Sequence, residues 1–403
     1  MASPLPSWPH NSIIGRSVIK LSIMKRNVLV LPAALLLITA GFLYSCSKSG
    51  GGGGTNPGGG GTTTGKDSIL TNIGNNIILP AYASLSISVN SLDSAILDFN
   101  AGPSSVKLKA VQTLFKSAYI NWQSASEFNY FGPASSIQPN LSGLNIFPTD
   151  SVKIESNITS ANNNVTAFAN AAAKGFPALD YILFGGTGAN LIGFTTDANA
   201  ANRKAYLAAV SADIKSEVTA VVKGWSASGG NYIATFLNGT GNSISSSLGL
   251  LLNSMIQDFE ITKNDRLGIP LGKMPAGQPI LPKELEAYFS GISAQLATAQ
   301  IKAIQNLYLG IGVNGNGPGL QDYVIKANAQ YNGSSLDGAI TTNLTSAITG
   351  LQGIPDPLSA TIQSNPAPAT AVYTTAQLLV VLLKTDMASS LGVLITFGDN
   401  DGD

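Results

Sequence analysis

Apolar side chains recur every three or four residues along most of the chain after residue 66, with little of the two-residue alternation that is typical of strands. The clearest stripe follows Ser104 and Ser105, either of which suits a helix N-cap. Its apolar positions are Val111, Leu114, Phe115, Ala118 and Trp122. Comparable stripes run through residues 207–225, 244–259 and 285–296. The pattern predicts an all-α fold.

Three features interrupt or modify these stripes. Pro80 falls inside the first apolar stripe and is expected to interrupt that helix. The run Leu378–Leu383 is apolar on all sides but too short to span a bilayer, which predicts a buried core helix. The glycine-rich segment 312–319 has no lysine and threonine ending of a phosphate loop, so we interpret it as a connecting loop.

The length of the helical region predicts two domains, because a single core seldom organises more than about 250 to 300 residues. Glycine and asparagine cluster in residues 228–242, which suits a boundary. We therefore expect an N-terminal helical domain over residues 66–235 and a C-terminal helical domain over residues 236–403.

The N-terminal part of the chain carries the pattern of a lipoprotein signal. Residues 1–45 form an upstream segment and a signal peptide with an expected start at Met24, two basic residues, and an apolar stretch at 28–42. Cys46, the one cysteine, follows at once and is the expected lipidation site. Half of residues 46–65 are glycine, which predicts a flexible tether. The expected location is the outer membrane, lipid-anchored, on the periplasmic or cell-surface face.

Charge and composition exclude some functions. The chain has 22 basic and 22 acidic residues, and residues 1–45 hold four of the basic ones and none of the acidic ones, so the remainder is slightly acidic. This balance argues against nucleic acid as a partner. The lone histidine, His10, lies in the segment expected to be removed, so a metal site would use oxygen ligands and favour hard cations.

One segment is the strongest candidate for a functional motif. Gly175 and Pro177 open a short apolar helix that contains a single carboxylate, Asp180. The segment resembles the Gly-x-His-x-x-Glu motif of the imelysin family, with Pro177 at the histidine position and Asp180 at the glutamate position. Residues 263–272 are similar to a second family block, Lys-x-x-Arg-x-Gly-x-Pro-Leu-Gly. The positions that match are Gly175, Asp180, Lys263, Arg266, Gly268, Pro270 and Gly272.

The resemblance covers nearly all of the chain after the tether. It implies an all-α fold of two bundle-like halves with a functional site in the cleft between them. Members of the family are classed as peptidases and are linked to iron uptake. A histidine and a glutamate three residues apart share one helix face and could hold a metal together, whereas proline offers no ligand atom.

The candidate site residues each have two interpretations. Asp180 either binds a divalent cation or a substrate amine in the cleft, or is satisfied by Arg266, Lys263 or helix-end amides. Lys263 and Arg266 either pair within their helix or bind an anionic group. Glu127 either reaches the same cleft, together with Tyr130, or lies on the surface.

Three functions remain open from the sequence. The first is a lipid-anchored, non-enzymatic binding protein of the imelysin type, linked to iron or nutrient uptake. It would bind a metal or small ligand and work with a protein of a transport system. The second is a metallopeptidase that uses carboxylate ligands only. The third is a structural or adhesion lipoprotein on the cell surface.

Overall fold

Helices make up nearly all of the regular structure in residues 66–137 and 141–398, which are the residues that the computed structural model describes. This confirms the predicted all-α class. The expected signal peptide, the tether and the lipidation site Cys46 lie outside the described residues. These described residues belong to one compact unit.

The α-helices are, in chain order, α1 (Lys66–Asn72), α2 (Leu79–Ala101), α3 (Ser105–Gln123), α4 (Gly132–Ser135), α5 (Ser151–Thr159), α6 (Gly175–Phe184), α7 (Ile192–Thr195), α8 (Ala200–Trp225), α9 (Tyr232–Asn238), α10 (Ser247–Ile261), α11 (Ser293–Leu309), α12 (Leu320–Lys326), α13 (Leu336–Gln352), α14 (Leu358–Ser364), α15 (Ala367–Val380) and α16 (Ala388–Ser390). Several helices continue into π-helical turns, which are Ile73–Ile78, Thr262–Gly268 and Val381–Met387. Short 3-10 turns are Ser126–Phe128, Leu141–Asn145, Phe168–Ala173, Gly186–Ala189 and Pro282–Glu284.

Two small antiparallel hairpins complete the described regular structure. Strand β1 (Ile311–Gly312) pairs with β2 (Gly315–Asn316), and β3 (Gln330–Tyr331) pairs with β4 (Ser334–Ser335). The glycine-rich segment that we predicted to be a loop therefore contains the first of these hairpins.

The helices pack in two groups that share one core. Helix α2 packs against α3 and α8, while α13 packs against α11 and α15. Contacts between α3 and α11 join the groups, and a continuous set of buried apolar side chains runs from Ile69 to Val393. The predicted boundary at 235/236 falls inside α9, and the division into two domains stays a prediction.

Pro80 does not interrupt the first helix, contrary to the prediction from the sequence. The chain remains helical from α1 to α2 because the turn before the proline widens to a π-helix, in which the Leu79 N–H bonds to the Gly74 carbonyl. Proline has no N–H for the carbonyl four residues earlier, that of Asn76. The Val313 N–H donates to this carbonyl at 3.1 Å. The proline thus frees an acceptor that anchors the β1–β2 hairpin.

The apolar run Leu378–Leu383 is buried on most of its surface. Leu379, Leu382 and Leu383 are fully enclosed, whereas Val381 is 46% exposed. The helical run Ala367–Ser390 is long and apolar enough to cross a membrane by length and composition, a test that core helices also pass. Its packing against α13 agrees with the predicted core helix.

Candidate functional site

Helix α6 carries the central motif and begins with a glycine for a steric reason. Gly175 has a φ of +74°, and a Cβ there would lie 2.2 Å from the Leu144 carbonyl oxygen. A side chain at this position would therefore collide with backbone. Pro177 follows in the first helical turn, where no amide donor is needed.

Asp180 is buried and bonded to backbone. Its Oδ2 accepts the Phe289 N–H and its Oδ1 accepts the Ser290 N–H, both at 2.9 Å. Burial raises the pKa of the Asp180 carboxyl to about 6, although these N–H donors and the Lys116 charge lower it. Among the described residues, this carboxylate is held by amides of the segment between Pro282–Glu284 and α11, and not by Arg266 or Lys263.

Arg266 lies in the π-helical turn after α10 and forms a buried ion pair with Glu286. Its Nε donates to Glu286 Oε2, Nη1 donates to Thr262 Oγ1 at 2.7 Å, and Nη2 donates to Gln123 Oε1 at 3.0 Å. Gln123 belongs to α3 and also donates to Glu286 Oε1 at 2.9 Å. The guanidinium is therefore bonded on every side.

Glu286 links this ion pair to the motif helix. Its Oε1 accepts the Asn145 amide at 2.8 Å, and Asn145 accepts the Tyr119 hydroxyl at 2.6 Å. Burial, together with the charges of Glu286 and Asp180, raises the pKa of Tyr119 well above its ordinary value. Residues 286–290 thus carry both the partner of Arg266 and the amides that hold Asp180.

A second buried acid, Asp258 on α10, lies near Arg266. It accepts the Ser126 hydroxyl at 2.8 Å and the Gln300 amide at 3.0 Å. Burial raises the pKa of Asp258, whereas the Arg266 charge lowers it. Ser126 comes from the turn after α3, so this contact also joins distant parts of the chain.

Two neighbouring cavities border these groups, and Phe147 lines both. The motif cavity, of about 300 Å³, is lined by Pro177, Asp180, Tyr181 and aromatic residues of segment 282–289. The arginine cavity, of about 230 Å³, is lined by Arg266 and oxygen-bearing side chains. These oxygen-bearing residues are Ser126, Asn129, Tyr130, Ser142, Asn145, Asp258 and Asp265.

The structure connects Asp180 and Arg266 through segment 286–290 but places Lys263 and Glu127 elsewhere. We call the connected groups the polar cluster, whose members are Gln123, Ser126, Asn145, Asp180, Asp258, Arg266 and Glu286. Lys263 lines a separate cavity of about 860 Å³ beside Glu260, which accepts the Lys384 ammonium at 2.7 Å. Glu127 is buried rather than on the surface and lines a further cavity, away from that of Asp180. Tyr130 does reach the arginine cavity.

The matching positions of the second family block have structural roles. A Cβ on Gly268 would lie 3.0 Å from the Lys263 carbonyl oxygen, and one on Gly272, at φ +66°, would lie 2.1 Å from the Gln278 carbonyl oxygen. The Pro270 carbonyl accepts the Leu281 N–H at 2.8 Å. These residues fix the chain that leads from Arg266 towards Glu286.

Sequence reasoning missed Glu286, Asp258 and Gln123. A buried arginine requires a carboxylate, but no local pattern shows which one, since the partners come from separate helices and loops. In the described part of the chain, no group of three or more His, Cys, Asp or Glu side chains is arranged to hold a metal ion.

Comparison with known proteins identifies the family. The structure is similar to an imelysin-like protein from Psychrobacter arcticum 273-4, with a TM-score of 0.61, 19% identity, and coverage of 81% of this chain and 96% of that chain. It is also similar to a protein from Parabacteroides distasonis ATCC 8503 that is assigned as an iron-regulated protein A precursor. For this second structure the TM-score is 0.66, the identity is 18%, and the match covers 81% of this chain and 94% of that chain.

These two structures share the fold with this chain. No curated protein sequence shows significant similarity to it. The family model described as Imelysin, peptidase M75, matches residues 78–385, which is most of the chain. The chain belongs to the imelysin family.

Proposed function

We propose that this protein is a lipid-anchored, non-enzymatic binding protein of the cell envelope that serves iron or nutrient uptake. The state of the family motif carries the proposal. Pro177 offers no ligand atom, and both oxygens of Asp180 accept backbone N–H groups. Helix α6 therefore uses its carboxylate to hold segment 286–290 in place, and a metal-bound water for peptide hydrolysis would lack its ligands there.

The arginine cavity is the better place for a cation. Asp258 and Asp265 line it, and burial raises the pKa of both carboxyls, so a cation there would relieve their desolvation. The Asn129 Oδ1 is buried without a hydrogen-bond partner among the described residues. Glu286 offsets the charge of Arg266. Carboxylate, amide and phenol oxygens favour a hard cation such as iron(III).

The proposed iron binding rests on similarity to known proteins as well as on the arginine cavity. The proposed export rests on that similarity and on the predicted lipid anchor. The neighbour from Parabacteroides distasonis is assigned as an iron-regulated protein precursor, and the family match covers residues 78–385. Together with the predicted lipid anchor at Cys46, this supports an exported protein that passes its ligand to a transport-system protein. The outer membrane remains our proposed location.

Thermal unfolding of the compact unit, residues 62–403, tests the binding function. A ligand that binds only the folded state raises the midpoint, by about 2.7 kcal/mol of stability at 100 times its Kd. We expect iron(III), supplied as citrate, to raise the midpoint more than citrate alone, Ca²⁺, Mg²⁺ or Zn²⁺. The shift should shrink in Asp265→Asn and Tyr130→Phe and persist in Asp98→Asn, which changes an exposed carboxylate.

Two outcomes would contradict this function. One is the absence of any midpoint shift with all of these ions. The other is hydrolysis of a fluorogenic peptide library by the purified chain that disappears in Asp180→Asn, which would show that the altered motif still supports catalysis.

A further inference from the structure

Glu127 lies outside the polar cluster and differs from its buried acids Asp180, Asp258 and Glu286, each of which accepts hydrogen bonds. It lies in the turn Ser126–Phe128 and is 1% exposed, yet neither carboxylate oxygen has a hydrogen-bond partner in the described part of the chain. Burial, and then the nearby charge of Asp258, raise the pKa of Glu127 well above its ordinary value. An unpaired buried carboxyl costs about 1 to 3 kcal/mol or more, so its presence calls for a reason.

Glu127 lines a cavity of about 280 Å³ that is separate from the motif cavity and the arginine cavity. Its walls come from the π-helical turn Ile73–Ile78, α2, α3, α11 and β1. The polar lining residues beside Glu127 include Ser84, Asn121, Ser124 and Asn306, and the rest of the wall is largely aliphatic. None of the lining residues is basic. A water molecule takes about 30 Å³ of liquid, so this cavity has room for a group of several heavy atoms.

We propose that this cavity binds a primary ammonium group on a short alkyl chain, with Glu127 as its counter-ion. An ammonium group has three donors, and the carboxamide and hydroxyl oxygens of Asn121, Asn306, Ser84 and Ser124 offer acceptors beside the carboxylate. The alkyl chain contacts the aliphatic wall. An anion would face an acid with no basic residue, a neutral ligand would supply no counter-charge for the ionised form of Glu127, and a bare metal ion would leave most of the volume unfilled.

Binding releases a proton, which gives the proposal a distinctive signature. Burial and the nearby charge of Asp258 raise the pKa of Glu127 and so disfavour its ionised form in the free protein. The ammonium ion pairs with the carboxylate, so the Glu127 proton leaves to the buffer as the ion pair forms. The affinity therefore rises with pH, up to about tenfold per pH unit while Glu127 is protonated in the free protein.

Titration calorimetry of residues 62–403 with n-butylammonium chloride tests this site at pH 6, 7 and 8. At each pH, two buffers with different ionisation enthalpies count the protons released. We expect binding to release protons to the buffer, at most one for each site, and the affinity to rise with pH. Glu127→Gln keeps the shape of the side chain and removes its charge. It should bind at least tenfold more weakly and lose the pH dependence, whereas Asp98→Asn should match the unmodified chain.

Two further measurements complete the test. Ala81→Leu adds volume to the cavity wall, so it should also weaken binding. It serves as the test variant if Glu127→Gln does not fold.

A comparison of Nα-acetyl-lysine amide with n-butylammonium distinguishes a lysine side chain of a partner protein from a free amine. Equal affinity in Glu127→Gln and the unmodified chain, or no heat with either amine at millimolar concentration, would overturn the proposal. Iron binding in the arginine cavity should persist in Glu127→Gln, so the two proposals fail separately.

Discussion

At the scale of single residues, two buried carboxyl groups show how neighbours decide a role. Asp180 has two backbone N–H donors, so its charge is used to hold the chain. Glu127 has no donor among the described residues and lines a cavity, so we assign its missing partner to a ligand in that cavity. Sequence alone does not separate these cases, because the donors to Asp180 lie 109 and 110 residues away along the chain.

The Asp180 carboxyl should make the protein less stable as the pH rises from 4 to 6. Its pKa is about 6 in the folded state against an ordinary value of 3.8, so the folded chain binds more protons in this range. Its contribution to the free energy of unfolding therefore falls by up to about 1.4 kcal/mol per pH unit, and by about 3 kcal/mol in total. Urea unfolding of the unmodified chain and of Asp180→Asn at pH 4, 5, 6 and 7 measures this term.

The difference in unfolding free energy between the unmodified chain and Asp180→Asn isolates the contribution of Asp180. The other buried acids, Glu127, Asp258 and Asp265, are present in both proteins. The advantage of the unmodified chain over Asp180→Asn should be largest near pH 4 and decline towards pH 6. Asparagine also places an amide donor against one of the two N–H groups, which adds a loss that does not depend on pH. A constant difference over the whole range would refute the assignment.

At the scale of elements, backbone groups left without a local partner create long-range contacts. Pro80 frees the Asn76 carbonyl, which then accepts the Val313 N–H of the β1–β2 hairpin. A second π-helical turn, Thr262–Gly268, likewise precedes a proline, Pro270, and it carries Arg266. These two π-helical turns thus lie where the chain builds its Glu127 cavity and its polar cluster, in agreement with the frequent occurrence of π-bulges at functional sites.

Helix stripes, the Ser104 cap and the motif helix were predictable, because their signals are local in the sequence. The Ser104 hydroxyl accepts the Lys107 N–H, as expected of a cap. The donors to Asp180 were not predictable, since they lie 109 and 110 residues away in an irregular segment. Pro80 misled the prediction because a π-helical turn has no propensity signature that a single sequence reveals.

Helix α6 should be sensitive to any side chain at its first position. Gly175→Ala combines a left-handed φ with a collision against the Leu144 backbone, so we expect a loss of about 3 kcal/mol or more in the free energy of unfolding. Gly277→Ala is the matched control, because it has a φ of +83° with no atom within 4 Å of the added Cβ. It should cost only about 1 to 2 kcal/mol. Urea denaturation measures both, and equal losses would show that the collision is relieved by movement of residues 141–145.

At the scale of the whole molecule, the polar cluster joins the two groups of helices. Gln123 and Ser126 from the first group bond to Arg266 and Asp258 from the second. Asp180 is held by amides of segment 286–290, and apolar contacts between α3 and α11 cover the same boundary. Each group therefore supplies partners for charges that the other group buries.

Residues 62–240 and 241–403, expressed separately, should each fail to fold, while residues 62–403 unfold in one cooperative transition. Separation would remove Gln123 from Arg266, Ser126 from Asp258 and both backbone donors from Asp180, and it would expose the apolar faces of α3 and α11. A buried polar group that loses its partner costs about 1 to 3 kcal/mol. The cut at Gly241 lies between α9 and α10, so no helix is broken. Circular dichroism during urea titration reports helix content and cooperativity, and mixing the fragments should restore both. Cooperative unfolding of either fragment alone would show instead that the two halves are independent domains and that the cluster between them is a removable contact.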